Sequence, residues 1–499
     1  MGRVLEFFPL ANNGRGFGTV CRRAFVGSAR RDCLTAILTI ALSIAASGVA
    51  CDRAMAETMS SALALAYQSN PDLNQERAGV RAQDETIPQA TSAYRPTVGL
   101  TGQYGVTHLA EVGNGGSLLG LGGGGGGIST LTEPSSVGMT VSQTVFNGNR
   151  NYNSVRKAES NVFSARETLR NTELNVLQNG AIAYMNVLRD TAILNLRKNN
   201  IIVLEEQLRQ TRDRFNVGEV TRTDVAQAES SLASARSDYF TAQANLQNSI
   251  AVYRQVIGVQ PTQLQPARSI EALLPRSLAE AIAVGLNEHP AIQAALHAAD
   301  AAELQVKINE GQLYPTVTVN GSVERDWNFE GFPGFRNFNG AVFGQVSVPI
   351  YQGGAEYAEV RQAKELYTQA RIEADLQREA VRANIATDWG LLQASKAAIA
   401  SNEAAVKAAE IALEGVREEA RVGQRTTLDV LNAQQTLLNA RVSLVSAQRD
   451  RVVASYVVMA AIGRLDASTL HLAVNEYDPT VHFDQVKDKW IGLRTPDGH

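Results

Sequence analysis

The chain has 499 residues, enough for several domains, yet aromatics make up only 6% against a 44% hydrophobic share that leans on alanine, the strongest helix former. Its formal charge of −4 conceals a split: residues 1–56 hold seven arginines and three acids, leaving 39 basic and 47 acidic side chains, a net −8, in the rest. That balance, with no basic stripe interleaved with aromatics, argues against a nucleic-acid partner, and the six histidines (His108, His289, His297, His471, His482, His499) show no metal-ligand spacing.

The N-terminus reads as a secretory signal. Arg22, Arg23, Arg30 and Arg31 precede an uncharged run from Leu34 to Ala50, and Ala54-Met55-Ala56 supplies an A-x-A site. Residues 1–56 are therefore expected to be removed before Glu57. A rival reading makes Cys51 a lipid-bearing N-terminus, but Gly48-Val49-Ala50 lacks the aliphatic residue such a site prefers, and the run is short for a retained span. All three cysteines (Cys21, Cys33, Cys51) lie in this segment, so the processed chain has no thiol.

After residue 56 the chain is built twice. Phe146–Gly258 reappears without a gap as Tyr351–Gly463, 205 positions later, anchored by Val217-Gly218 with Val422-Gly423, Asp224-Val225 with Asp429-Val430, and Ala235-Arg236 with Ala440-Arg441. Asn70-Pro71 matches His289-Pro290, and Pro96-Thr97-Val98 matches Pro315-Thr316-Val317, at an offset of 219. The first repeat spans 57–258 (helices 57–94, β-hairpin 95–146, long helical hairpin 147–258). A proline-bearing linker covers 259–276. The second repeat spans 277–463 (helices 277–313, β-hairpin 314–351, long helical hairpin 352–463), and the polar tail 464–499 is equatorial or disordered.

In chain order, Thr58 opens a first amphipathic helix, matched later by Ser277 with a Ser-x-x-Glu box at Glu280. Pro71 and Pro290 start helices that run to Tyr94 and Tyr314. Four segments then alternate with period two. Val98, Leu100, Tyr104 and Val106 share one parity, as do Val137, Met139, Val141 and Val145. The second copy offers Val317, Val319 and Val323, then Val342, Val346, Val348 and Ile350 against Phe343, Gln345 and Ser347. Each is about ten residues, the length of a tilted membrane strand, with small or polar residues on the opposite face. Alternation alone also fits hairpins half-buried on a soluble core. The loop Gly113–Gly127 lacks the Gly-Lys-Ser/Thr ending of a phosphate loop and reads as a hairpin tip.

From Asn149 to Phe215 the chain has no proline and one glycine, Gly180, which predicts a helical rod ~100 Å long, repeated from Ala355 to Arg421. Each rod stops at Val-Gly, and each returning helix opens with Thr221-x-x-Asp224 or Thr426-x-x-Asp429. The returning helices carry a heptad: Val225, Ala228, Leu232, Ala235, Tyr239, Ala242, Leu246, Ser249, Tyr253 and Val256, with the second copy running from Val430 to Ala461. Ser249 and Arg451 are its polar intrusions. A rod's partner is expected to be a returning helix and the proline-started helix stacked end to end.

Four strands cannot close alone in a bilayer, because both sheet edges would leave backbone groups unpaired in hydrocarbon. Sister chains are required, and three copies leave more room for a lumen than two. The signatures Arg214-Phe215-Asn216-Val217-Gly218…Thr223-Asp224-Val225, Val422-Gly423…Thr427-Leu428-Asp429-Val430-Leu431, Ala64-x-x-Tyr67-x-x-Asn70-Pro71 and Tyr314-Pro315 resemble those of the TolC family of outer-membrane channel-tunnels, over essentially all of 57–463.

The resemblance implies a mixed α and β membrane protein. It would be a homotrimer with a 12-stranded barrel in outer-membrane lipid, a periplasmic α-barrel and an equatorial collar. It implies the exit duct of a tripartite system, fed through a periplasmic adaptor by an inner-membrane transporter of RND, ABC or MFS type, for efflux or type I protein secretion. By the same resemblance, a periplasmic gate comprises Asp224, Thr223, Arg425, Asp429 and Asn432, with Arg425 bonded to Asp224 and Thr223 of a neighbouring hairpin, and Val217, Gly218, Val422 and Gly423 meet the adaptor. A family tyrosine of the gate is Ala420 here and a family acid is Asn432, so a looser gate is expected. The alternative is a periplasmic coiled-coil scaffold or adaptor without a pore. No nucleophile–base pair or cofactor loop stands out, so no enzyme and no cofactor are expected.

Overall fold

The computed structural model describes residues 57–111, 128–328, 334–496 and 498. The signal segment 1–56 and the loop Gly113–Gly127 lie outside the described residues.

The duplication governs the helices. The rod α4 (Arg150–Asn216) and its return α5 (Arg222–Ile257) recur as α8 (Ala355–Arg421) and α9 (Thr427–Ile462), displaced by 205 residues at every boundary. Short helices precede each strand pair: α1 (Met59–Ser69), α2 (Pro71–Asp84) and α3 (Thr86–Thr91) in the first copy, α6 (Leu278–Glu288) and α7 (Pro290–Glu310) in the second. Pro71 and Pro290 sit in the first turns, where a missing N–H costs nothing.

The end-to-end stacking expected from the sequence is present, and its mechanism is visible. α5 ends against the start of α2, where Asn70 Nδ2 donates to the Val256 carbonyl (2.9 Å) and Ser69 Oγ to that of Ile257 (3.0 Å). α9 ends against the start of α7 so closely that a Cβ on Gly463 would lie 2.9 Å from the Cα of His289. Gly463 also has φ +88°, so glycine is required there twice over.

The seams of α5 and α9 face inward as the heptad predicts: Ala228, Leu232, Ala235, Ala242 and Tyr253 are buried, as are Val430, Leu437, Ala447, Ala454 and Val458. Both polar intrusions have partners. Ser249 Oγ bonds buried Asp190, and Arg451 Nε donates to Glu271 at 2.8 Å. The main core lies at the level of α1, where Leu63, Leu177, Tyr184, Tyr253, Ile257 and Met459 are fully buried.

Three helical expectations need correction. The helix from Pro71 does not run unbroken to Tyr94; it stops at Asp84 and resumes as α3 and a 3₁₀ turn (Ser92–Tyr94). Pro88 explains the break, since its ring opposes the carbonyl of Asp84 and it offers no N–H. The second copy has Lys307 at the equivalent place, and α7 is continuous. At Ser277 the box is skewed: Ser277 Oγ caps Glu280 N, but Glu280 accepts from Arg276 N (3.1 Å). The polar tail contains a helix, α10 (Pro479–Val486), held by buried His482 and Val486.

The strands are β1 (Thr97–Tyr104), β2 (Thr107–Glu111), β3 (Ile128–Thr132), β4 (Ser135–Asn147), β5 (Thr316–Trp327) and β6 (Arg336–Ser347). β1, β4, β5 and β6 form one antiparallel sheet in the order β1-β4-β5-β6, and β2-β3 form a separate ribbon beyond it. The first strand therefore ends at Tyr104 rather than running through Val106. The last ends at Ser347, before Val348 and Ile350, because Pro349 cannot donate to the ladder.

Register sorts the sheet into two faces. Val98, Val141, Gly321 and Val342 lie in one row, and Leu100, Met139, Val323 and Gly340 in the next. The opposite face carries Thr97, Ser142, Asn320 and Phe343, then Thr101, Gly138, Glu324 and Asn339. Val145 is not in its expected place. A bulge between Thr144 and Phe146 shifts the register, and Phe146 takes the apolar position opposite Val317.

Candidate functional site

Two regions concentrate exposed side chains: the sheet and the hairpin tips. On the sheet, large apolar residues are bare in the single chain, among them Val98, Leu100, Val342 and Val346 at 63–81% exposure. Aromatics flank them. Tyr104, Trp327 and Phe338 stand at the ribbon end, and Phe146, with Tyr94, Tyr314 and Tyr351 just beyond the strands, at the helix end. About ten residues between these belts at ~3.3 Å, tilted by ~40°, give an apolar band roughly 25 Å tall, the height of a barrel's lipid-facing girdle. Among the described residues β1 and β6 each have one unpaired edge.

At the far end of the rods each helical hairpin turns through one built motif. Glu219 N bonds the Arg214 carbonyl (2.9 Å) and Gly218 N that of Phe215 (3.0 Å), closing α4 with a Schellman cap around Gly218 at φ +80°. Gln424 and Gly423 repeat it on Glu419 and Ala420. A capping box follows. Thr221 N and Oγ1 both donate to Asp224 Oδ2 (2.9 and 2.7 Å), and Asp224 N returns to Thr221 Oγ1 (3.3 Å). Thr426 and Asp429 reproduce it at 2.9, 2.8 and 3.2 Å. The hydrogen bonds from Thr221 hold the Asp224 carboxyl below its ordinary range, and the backbone N–H of Thr426 does the same for Asp429.

Val217 and Val422 project at 72% exposure each, and a Cβ on Gly218 or Gly423 would meet nothing within 4 Å. Thr223 and Asn432 are exposed, and Asn432 lies one turn after Asp429 on α9. Within the chain, Arg425 does not reach Asp224 or Thr223. Its Nε donates to Glu419 Oε2 at 2.7 Å, a pair that holds its charge beside its own hairpin. In the first copy Arg214 and Glu219 make the corresponding pair at 3.0 Å with the signs exchanged, the cation now on the rod.

Below the tips, rungs recur in both copies. Arg236–Glu205 (2.8 Å) and Arg441–Glu410 (2.7 Å) are equivalent, as are Arg212–Glu229 (2.6 Å) and Arg417–Gln434 (3.2 Å). Leu431 of α9 packs with Leu204, Leu208, Ala228 and Leu232, so the two hairpins lie side by side. Neither the rungs nor the Arg–Glu pairs were read from the sequence. A signal was available for the rungs, whose arginines and partners fall at matching distances from the Val-Gly turn in both copies, but not for the Arg–Glu pairs at the turn, whose positions are exchanged.

Among the described residues no group of three or more His, Cys, Asp or Glu is placed to hold a metal ion, and no helix is long and apolar enough to cross a membrane.

A family model described as outer membrane efflux protein matches residues 62–259 and 282–464, the two repeats. The outer membrane efflux protein BepC of Brucella suis is 42% identical over 448 residues, which cover 89% of this chain and 94% of that one. The outer membrane protein TolC of Escherichia coli is 25% identical over 460 residues, 88% of each. Among solved structures, the Campylobacter jejuni CmeC outer membrane channel shares the fold with a TM-score of 0.73 at 16% identity, covering 86% of this chain and 89% of that one.

Proposed function

The chain belongs to the outer membrane efflux protein family, and we propose from it that three copies join their sheets, β6 of one to β1 of the next, into a twelve-stranded barrel continued by a periplasmic helical tunnel. It is an outer-membrane export duct with a large periplasmic portion, and the family consists of channels rather than enzymes. We assign it no catalytic role. Residues 57–258 and 277–463 serve as the two repeats of one wall segment, joined by 259–276, with 464–499 lying along the collar.

The observation that carries the reading is the sheet. Its two faces are sorted by polarity, and its two edges are unpaired. An edge in hydrocarbon leaves several costly N–H and C=O groups, so closure with sister sheets is the physical solution. Antiparallel order across the new seam follows, because β1 begins and β6 ends at the helix end of the sheet.

Cargo reaches the duct from an inner-membrane transporter of RND, ABC or MFS type through a periplasmic adaptor, whose tips meet Val217-Gly218 and Val422-Gly423. The exposed valines and the open space around both glycines support that contact. At the closed mouth, Arg425 exchanges Glu419 for Asp224 and Thr223 of the neighbouring hairpin, while Asp429 and Asn432 line the constriction. The 42% identity to a protein named for efflux supports small compounds as cargo. The test is purification in detergent followed by planar-bilayer recording. A trimer with discrete conductance steps is expected, and a detergent-free soluble monomer overturns the reading.

A further inference from the structure

The C-terminal tail carries an apolar cluster that the duct reading does not use. Trp490, Ile491 and Leu493 are exposed at 69%, 90% and 102%, although the helix before them is firmly seated. Val486 is fully buried, and His482 Nδ1 lies 3.0 Å from Asp84 Oδ2. The tail is thus held on α2 up to Val486 and then presents three large apolar side chains to its surroundings.

Their position is fixed by Arg95, two residues before β1. Arg95 donates to the Lys489 carbonyl at 2.8 Å, and its guanidinium stacks over the Trp490 ring at 4.5 Å. The cluster therefore lies at the level where the sheet begins, beside Tyr94, at the helix-end aromatic belt. The nearby charge is mostly positive: Lys487, Lys489, Arg494 and Arg95, against Asp484, which pairs with Lys487 at 2.8 Å, and Asp488; Lys489 Nζ donates to the Arg494 carbonyl, an uncharged acceptor that leaves its charge unneutralised.

We propose that Trp490–Leu493 is an interfacial anchor that enters the periplasmic leaflet of the outer membrane, with Lys489, Arg494 and Arg95 facing the phosphates of anionic phospholipids. A tryptophan flanked by branched aliphatics and cations is the composition of a segment lying at the headgroup boundary. The rival occupant is the neighbouring chain, whose Val348, Ile350 and Tyr351 would come near at the β6–β1 seam. That stretch, Val348–Gly354, has no acid, and of the two that follow it Glu356 is buried and Glu359 accepts from Gln312 (3.1 Å), so charge favours lipid. The proposal rests on the outer-membrane reading above.

Two single-tryptophan chains test it. Trp327 lies on the apolar face of the sheet and reports whether the barrel is in the bilayer, whereas Trp490 reports on the tail. Each is kept alone, the other tryptophans being changed to phenylalanine, and the full assembly is reconstituted in phosphatidylglycerol vesicles brominated near the glycerol end of the acyl chains. Quenching of both, with the Trp490 quenching weakened when the vesicles are made of zwitterionic lipid, is the expected result. Quenching of Trp327 alone overturns the anchor and leaves the barrel standing. If, in that case, W490S/I491S/L493S also lowers the resistance of the trimer to dissociation, the segment belongs to the seam between chains. Quenching of neither overturns both readings.

Discussion

Replacing Glu271 by glutamine should loosen the linker between the repeats in a pH-dependent way. Glu271 Oε1 accepts from Arg451 Nε at 2.8 Å and from Ser269 Oγ at 2.9 Å, while Oε2 lies 2.7 Å from Lys396 Nζ, so one carboxylate ties the linker to both α8 and α9. Burial alone would raise its pKa, but the bonds from Arg451, Lys396 and Ser269 outweigh it and hold the group at about 2, against an ordinary 4.5. A difference of ~2.5 units corresponds to ~3 kcal/mol at 1.36 kcal/mol per unit, reduced here to about 2 for solvent screening. Because the folded pKa is depressed, this contribution is fully present above pH 4.5 and is lost as pH falls towards 2. The assay is amide hydrogen exchange over residues 270–274, where Ile270 N bonds Ser455 Oγ (3.2 Å) and Leu273 N the Ile270 carbonyl (2.9 Å). E271Q should exchange about 30-fold faster than the parent at pH 7, as ~2 kcal/mol requires. The gap should narrow steadily below pH 4.5. Equal exchange at pH 7, or a gap undiminished near pH 2, refutes the reasoning.

Other outcomes follow from the same geometry. R425S, or D224A, should raise single-channel conductance of the purified trimer, and unchanged currents in both remove these residues from the gate. Bulky replacements at Gly218 and Gly423 should lower resistance to toxic compounds while immunoblots of the outer membrane show normal abundance, since a Cβ there meets open space. Gly463→Ala should cost far more folded protein than Gly423→Ala, although both have φ near +80 to +90°, because only Gly463 faces backbone at 2.9 Å; equal yields of the heat-modifiable species would contradict this. His289 caps α7 through Nδ1, and desolvation pushes its pKa down to about 4, so the neutral ring's contribution is complete above pH 6.5 and lost as pH falls to 4. H289N, which copies Asn70 of the first repeat, should flatten the thermal-stability profile across that window.

Much of the fold was legible because the repeat let each element be read twice. The rods, the Val-Gly stops and the Thr-x-x-Asp starts each rest on local backbone chemistry, and the structure closes them with the caps the residues imply. The failures occurred where one residue broke the equivalence of the copies. Pro88 splits a helix that its counterpart Lys307 leaves whole. The bulge at Thr144/Phe146 is hidden because Val145 and Phe146 are both apolar, and a period-two pattern cannot say which of two such neighbours changes face.

The tips were legible in their caps and opaque in their electrostatics. A cap is written within four residues, whereas an arginine's partner is chosen by whichever acid the folded turn brings within reach. The turn brings Glu419 to Arg425 and Arg214 to Glu219, so the two copies hold the same clamp with opposite polarity. That inversion matters for the proposed trimer, in which six hairpins would ring the mouth. In that arrangement cation-on-rod and acid-on-rod tips would alternate, which would favour contact between unlike hairpins over like ones. Each clamp is solvent-exposed and so cheap to break, as the exchange of partner proposed for Arg425 requires. The gate proposed above needs weak, exchangeable links of this kind at its mouth, whereas the half-shielded, multiply bonded carboxylate of Glu271, shared by Arg451 and Lys396, suits a place where the wall must not give.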